Sequence, residues 1–397
     1  MVSLMLLSLL SCAPKTTLPG AGPVPAPAVP PAGSIASTGV QDGAMRTILN
    51  EHWDDKMRRS PLEATSLGDR RFDDQLGDGS AEAEAAGVAA VRELRRRMDA
   101  VDPTTLSPAD ALTRELFLAQ VDADLADVPC RFSDWTVTPR RNALSDVYAI
   151  PVLHSVNTAA DAKAILARYR AVPASITVEL DRLRVGAEQG WTAPAESVRR
   201  TIEQLDRSLA PGAAQPLLDP VESPPEDLQG KERDAWVAAM TAVVHDEIEP
   251  ALRAYQKVLE TEILPVARPP ERAGVSNLPD GEACYAGLVQ RYTTLDTSPD
   301  AVHQAGIEAI ARVHAEFREL GLRVFETDDL QSIFTKLREA PELRFESAQQ
   351  VEDKARAAVA AANAAVPQAF GRLPEARCEV DRIPDHEAPF TTIAYYM

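Results

Sequence analysis

The sequence has little positive charge, few cysteines and none of the short loops that mark the commonest enzyme folds. Its 60 acidic side chains outnumber 41 basic ones, for a formal charge of −19. Such a balance argues against a surface that tracks nucleic-acid phosphates or adheres to anionic lipid head groups, so no nucleic-acid partner is expected. There is no G-x-S-x-G elbow, no G-x-x-x-x-G-K-[ST] loop and no G-x-G-x-x-G turn, which removes support for a serine hydrolase, a P-loop enzyme or a dinucleotide-binding fold. The four cysteines include no C-x-x-C pair, and no apolar run is long enough to span a bilayer. Regular strand alternation and tandem repeats are also missing. What is present is length and apolar content. With 397 residues, 45% of them hydrophobic, the chain can build one large or two medium cores.

Three stretches of different composition follow one another. Met1 to Ser11 is almost wholly apolar and closes on Leu9-Leu10-Ser11-Cys12. A small residue before a cysteine that ends such a run resembles the lipobox of bacterial lipoproteins, in which Cys12 would be lipidated. Residues 1–12 are thus expected to be a lipoprotein-type signal peptide, with an apolar terminus carrying an incidental cysteine as the other reading. Residues 13–40, exemplified by Pro23-Val24-Pro25-Ala26-Pro27, have no hydrophobic period and read as an extended tether. Residues 41–397 carry the helix signals. The expected location is the cell envelope, held to a membrane by lipid on Cys12. Of the remaining cysteines, Cys130, Cys284 and Cys378 allow at most one disulfide; buried, unpaired thiols are the expectation.

Helix starts recur along residues 41–397. Ser80 precedes Glu82 and Glu84, Val88, Val91, Leu94 and Met98 mark one face, and Arg95, Arg96 and Arg97 load the last turns; stripe and charge order agree on a helix. Ser107-Pro108-Ala109-Asp110 ahead of Leu112 and Leu116, and Ser298-Pro299-Asp300, each combine a cap, a first-turn proline and an acid. Ser347 to Gln350 reads as a capping box ahead of Val351, Ala355, Val359, Ala362, Val366 and Phe370. The longest pattern runs from Glu232 to Ile263 through Trp236, Met240, Val244, Ile248, Leu252, Tyr255 and Leu259, and Pro250 is expected to kink or divide it. From Val128 to Ser155 the pattern fails; Trp135, Val137, Tyr148 and Ile150 are expected in a short strand or packed loop. The fold class predicted is all-α or nearly so, a multi-helix assembly of long helices with short connections.

Metal chemistry would draw on six histidines. His386-Glu387 opens like a zincin helix, but position 390 is Phe and prolines 384 and 389 flank the pair, so it reads as a polar loop. His245 and Glu249 share a helix face, where a solvated pair is the plain reading. His303 and His314 would stand about 16 Å apart along a helix, too far for one ion.

Several blocks, in order, resemble the bacterial domain-of-unknown-function 885 family. They are Pro61 to Asp69, Ile263 to Arg268, Leu278-Pro279-Asp280-Gly281 with Tyr285 and Thr293-Thr294, Val302 to Gly306, and Phe370 to Pro374 through Tyr395-Tyr396. The resemblance implies a helical, often secreted or lipid-anchored protein of a zinc-peptidase-like kind, whose metal motif has the form H-E-x-x-P-G-H-H. That motif is absent from this sequence, which closes at Met397. The implied expectation is a C-terminally truncated member that holds no zinc of its own and is inactive alone, with the missing half as a separate chain or a peptide as its partner. The alternative is a non-catalytic binding or scaffold lipoprotein. By the same resemblance Asp280, Tyr285, Tyr395 and Tyr396 are expected to line a cleft; the ordinary readings are a turn, a core tyrosine and an aromatic loop.

Overall fold

Side-chain caps set where the helices begin. In the computed structural model, which describes residues 36–213, 215–374, 378–384, 386–391 and 394, Asp42 accepts from the Met45 amide at 2.9 Å to start α1 (Gly43–Arg59). A proline in the first turn opens α2 (Pro61–Ser66). Ser80 caps α3 (Ala81–Asp99), and Ser107 caps α4 (Pro108–Ala126). The α3 expectation holds: Val91, Leu94 and Met98 are buried and Val88 is half-buried, with acids in its first turn and arginines in its last. In α4 the buried face is Asp110, Phe117 and Val121, whereas Leu112 and Leu116 are exposed. The reason is Asp110, whose carboxylate accepts from the Gln41 and Asp42 amides and turns that side of α4 inward.

The segment expected as strand or loop divides. Trp135 and Val137 do lie in a packed loop after two 3₁₀ turns, Val128–Cys130 and Phe132–Asp134. Tyr148 and Ile150 instead belong to α5 (Ala143–Leu153), buried with Ala143, Leu144 and Val147. A helix covered on more than one side needs no polar face, so its sequence shows no 3.6-residue period. Asn142 caps it, accepting from the Leu144 and Ser145 amides.

The long central helix α6 (Ala159–Glu188) starts in a Thr158–Asp161 capping box. Then come α7 (Ala195–Ser208), the single turn α8 (Asp219–Glu222), α9 (Gly230–Ala242) and α10 (Glu249–Val258). Pro250 does not break the helical path. A π-helical stretch, Val243–Ile248, joins α9 to α10 directly ahead of it, and a second, Leu259–Ile263, follows α10. The wider turn is one way a helix accommodates a residue that cannot donate. The largest core forms around α6 from Ile165, Tyr169 and Val172 with Leu205, Met240, Val244, Ile248, Leu252, Tyr255 and Leu259. A smaller one joins α1, α3 and α4 through Met45, Ile48, Leu94, Met98, Phe117 and Val121. Each such side chain stabilises the fold by about 1.5–3 kcal/mol through burial.

The Pro61–Asp69 block is a joint between α2 and α6. Arg168, wholly buried, donates to the Gln75 and Phe72 carbonyls at 2.8 and 2.9 Å and to Thr65 Oγ1 at 3.0 Å. Thr65 in turn donates to Asp73 at 2.6 Å, and Arg168 Nη1 stands 3.1 Å from Nδ1 of buried His154. Burial and then the Arg168 charge hold His154 well below the usual histidine range, and so neutral.

Cys130 and Cys284, expected as separate thiols, form a disulfide with Cα atoms 4.6 Å apart. Their 154-residue separation hid the pairing; the fold brings α11 (Gly281–Thr293) alongside the end of α4, where Arg291 donates to the Ala123 carbonyl and to Asp124.

The described residues fall into two compact units whose boundary in sequence lies between Asp296 and Thr297. The second holds α12 (Pro299–Phe325), α13 (Leu330–Glu339) and α14 (Ala348–Ala369). Ser298 and Ser347 cap α12 and α14 as expected, and Asp329 caps α13. In α14 the reciprocal bond of the expected box lands one residue early, on the Glu346 amide. No strand longer than an isolated bridge occurs among the described residues, and the fold is all-α.

Candidate functional site

Where α5 and α6 run past the loops at 76–79 and 132–142, they leave a cavity of about 290 Å³. Its floor comes from Ile150, Ile176 and Val147, and its polar groups are Arg141, Asn142, Asp146, Glu179 and Arg182. Gly186 brings the loop in: a Cβ there would lie 2.0 Å from the Asp134 carbonyl oxygen, so only glycine permits this approach. Two carboxylates dominate the chemistry. Glu179 accepts from the Tyr255 hydroxyl at 2.7 Å, and that hydroxyl also bonds the backbone of Ala143. Desolvation, reinforced by the nearby Asp146 charge, pushes the Glu179 carboxyl up to about 7 despite the Tyr255 hydrogen bond. Asp146 is reached by solvent, yet it stands in a concave wall whose mass displaces water from its surroundings; desolvation raises its pKa, opposed by Arg141. A carboxyl near neutrality can exchange protons at physiological pH, and the pair offers acceptors to a donor-rich or cationic ligand.

A second cavity of about 320 Å³ shares Arg182 with the first. Its wall includes Glu84, Arg92, Arg131 and Asp134. Asp134, almost fully buried, accepts from Arg131 Nε and Arg182 Nε, each at 2.6 Å. Arg131 holds a left-handed backbone, φ 47°, and its guanidinium lies 5.1 Å from the Trp191 ring centroid. Trp191, Trp135 and Leu278 form a small apolar cluster of their own, with the Trp135 indole donating to the Cys130 carbonyl.

The residues expected to line a cleft stand elsewhere or outside the described residues. Asp280 is exposed, with φ 51°, at the turn into α11, and Tyr285 is exposed beside the disulfide; neither borders either cavity. Tyr395, Tyr396 and Cys12 lie outside the described residues. His386 and Glu387 sit in a turn, as expected of a polar loop, with Nε2 and Oε1 3.7 Å apart. His245 Nδ1 pairs with Glu249 at 3.0 Å on an exposed face. No group of three His, Cys, Asp or Glu side chains able to share an ion occurs among the described residues. Asp146 and Glu179 were missed in the sequence, although a signal was there: Glu179 interrupts the apolar face Val172, Ile176, Leu180 and Leu183, and Asp146 interrupts the run from Ala143 to Ile150.

The fold is shared with two solved structures. One is the "putative lipoprotein from Colwellia psychrerythraea", 16% identical, with a TM-score of 0.73 over 88% of this chain and 64% of that one. The other is a protein from Shewanella oneidensis, described as a "putative lipoprotein of unknown function", 14% identical, with a TM-score of 0.57 over 84% of this chain and 59% of that one. This chain therefore spans less than two thirds of either neighbour's length. No curated protein matches the sequence. A family model described as "Bacterial protein of unknown function (DUF885)" matches residues 61–397, most of the chain, and the chain belongs to that family.

Proposed function

We propose that this chain is the peptide-binding portion of an envelope lipoprotein in a peptidase-like family. The observation that carries the binding half is the α5–α6 cavity, where Asp146 and Glu179 stand over an apolar floor within reach of solvent. Apolar walls with a few convergent polar groups are the usual form of a ligand site. Support for the envelope comes from the Leu9 to Cys12 pattern and from the names of the two structural neighbours. No helix among the described residues is long and apolar enough to cross a membrane.

Zinc, which the family resemblance implies, does not fit these residues. His386 lies in a turn with Phe390 where a second histidine would have to be, and the remaining histidines do not gather with carboxylates into a ligand set among the described residues. The role assigned to the chain is binding, with Asp280, Tyr285, Tyr395 and Tyr396 proposed, on the resemblance alone, to border the path of a longer substrate.

The test is calorimetric titration of the full chain with a mixed peptide library, alongside metal analysis and an assay for chelator-sensitive cleavage. Saturable binding that weakens at least tenfold in the Asp146→Asn/Glu179→Gln double variant supports the assignment. Absence of binding to any peptide sinks it. Stoichiometric zinc with chelator-sensitive cleavage would show a complete catalytic centre and overturn a binding-only role.

A further inference from the structure

The α5–α6 cavity carries charges of both signs that the fold leaves unpaired. Arg182 is not among them, because it is committed to Asp134 and, at 2.9 Å, to Glu84. Arg141 forms no ion pair among the described residues. Its guanidinium lies 5.9 Å from the Phe132 ring centroid, and its charge acts on both Asp146 and Glu179. Asp146 accepts no side-chain hydrogen bond among the described residues, and Glu179 has one oxygen engaged, by Tyr255. The Thr136 hydroxyl, on the cavity wall, is buried without a hydrogen-bond partner among the described residues. A buried hydroxyl is costly to leave unpaired, so this one marks a place for a ligand atom. A monocation would leave Arg141 facing it, and a monoanion would face two carboxylates; a ligand that carries both charges satisfies the whole wall.

Size narrows the ligand further. At about 290 Å³ the cavity stands at the small end of ligand pockets, which run from about 300 to 1,000 Å³. Val147, Ile150 and Ile176 give it an apolar floor. We propose that this cavity binds small zwitterions with an apolar side chain, dipeptides or their component amino acids, with the ammonium at Asp146 and the unengaged oxygen of Glu179, the carboxylate at Arg141, and the Thr136 hydroxyl completing the polar wall. This rests on the peptide-binding reading above and narrows it to ligands whose two termini fit one cavity. Blocking either terminus removes one of the two charge-assisted contacts, which are stronger than neutral hydrogen bonds and set the ligand's orientation.

The experiment is calorimetric titration of the full chain with leucine and with alanylleucine, each free, N-acetylated or C-amidated, repeated on Asp146→Asn, Arg141→Gln and Thr136→Val. Asp146 and Arg141 are exposed, so their variants should fold, which a circular-dichroism melt checks for all three. Acetylation and amidation are each expected to weaken binding about tenfold or more in the parent. The acetylation effect should vanish in Asp146→Asn and the amidation effect in Arg141→Gln, a crossed pattern that a merely structural role does not produce. Thr136→Val should melt no lower than the parent and bind more weakly; unchanged affinity would overturn the part given to Thr136. If acetylation acts only through Arg141 and amidation only through Asp146, the assigned orientation is overturned. If free and blocked forms bind equally, the zwitterion site is wrong while peptide binding stands. If neither these ligands nor any longer peptide binds, the reading beneath it fails as well.

Discussion

The helices of residues 36–296 and those from residue 297 onward start with the same devices and end in different surroundings. Ser107-Pro108 and Ser298-Pro299 are the same kind of start, and both serines cap as expected. Yet α6 buries Ile165, Tyr169, Val172, Ile176, Leu180 and Leu183 along its length, whereas α12, nearly as long, buries only Gly321 and leaves Ile307, Ile310, Val313, Leu320, Leu322 and Val324 exposed. The first region adds a disulfide and a buried arginine joint; the second adds an edge-on Phe317–Phe334 contact and buried Ile333. Caps and periodicity specify helices in both. Helix propensity and caps supply only fractions of a kcal/mol to about 1 kcal/mol each, so stability should follow burial and be concentrated before residue 297.

The largest expected effect comes from the disulfide. It closes a loop of 154 residues, and chain entropy for a loop that long corresponds to about 4–5 kcal/mol. Replacing both Cys130 and Cys284 by serine should lower the stability of the first region by up to that amount and leave amide exchange in α12 to α14 unchanged. Exchange followed segment by segment reads this directly. Equal loss of protection in both regions would show that they unfold as one, against the contrast drawn above. Next comes Gly186→Ala, whose Cβ would meet the Asp134 carbonyl carbon at 2.9 Å and its oxygen at 2.0 Å. Backbone on both sides must move, at a cost of about 3 kcal/mol, and the cavity that depends on this approach should lose ligand binding with it. A urea midpoint unchanged from the parent would mean that the loop adapts freely.

Glu179 gives a smaller effect with a definite sign. Its carboxyl is raised to about 7 in the folded chain, chiefly by desolvation, against about 4.5 when unfolded. Between those values the folded chain binds more protons than the unfolded one, so the contribution of this group falls as pH rises from about 4.5 through 7 and is fully unfavourable above it. Glu179→Gln should therefore be more stable than the parent by about 2–3 kcal/mol at pH 8 and lose that advantage near pH 4. His154 works the other way. Its pKa is lowered by burial, so the parent loses stability as pH falls below the ordinary histidine range. Thermal melts from pH 4 to 8 separate the two, since only the loss of stability as pH rises from about 4.5 through 7 should disappear on replacing Glu179, while the gain with rising pH from His154 remains. A flat difference between variant and parent across that range would remove Glu179 from the list of perturbed groups.

How far the sequence disclosed this arrangement depended on which face of each helix is buried. α3 could be read in full because one side is apolar and the other charged, and because its acids and arginines sit at the favourable ends. α5 could not, since a helix buried widely shows no period. In α4 the start was legible but the buried face was not, because a hydrogen-bonded aspartate, Asp110, occupies the inward side while Leu112 and Leu116 face out. The Cys130–Cys284 bridge was out of reach, since pairing across 154 residues is a property of the tertiary fold. The cleft was half legible. Glu179 and Asp146 announce themselves only as acids in apolar faces, and nothing local tells whether such an acid is paired, solvated or waiting for a ligand.

The smallest predicted effect discriminates most sharply between the two regions. Gly306 lies inside α12, two turns from its start and exposed, and a Cβ built there meets nothing within 4 Å. In an uncovered helix, glycine costs about 1 kcal/mol relative to alanine because it loses more backbone freedom on folding. Gly306→Ala should therefore slow amide exchange in α12 by a factor corresponding to about 0.5–1 kcal/mol. The opposite change, Gly186→Ala, is destabilising, although both glycines lie inside long helices, because only Gly186 has another backbone against it. If Gly306→Ala instead weakens α12, then a partner packs on that side in solution, and the exposed row of Ile307, Ile310, Val313 and Leu320 is an interface rather than a solvated face. Helix propensity alone cannot produce that loss, so its appearance would move α12 from the weakly buried class to the strongly buried one and erase the difference between the two regions.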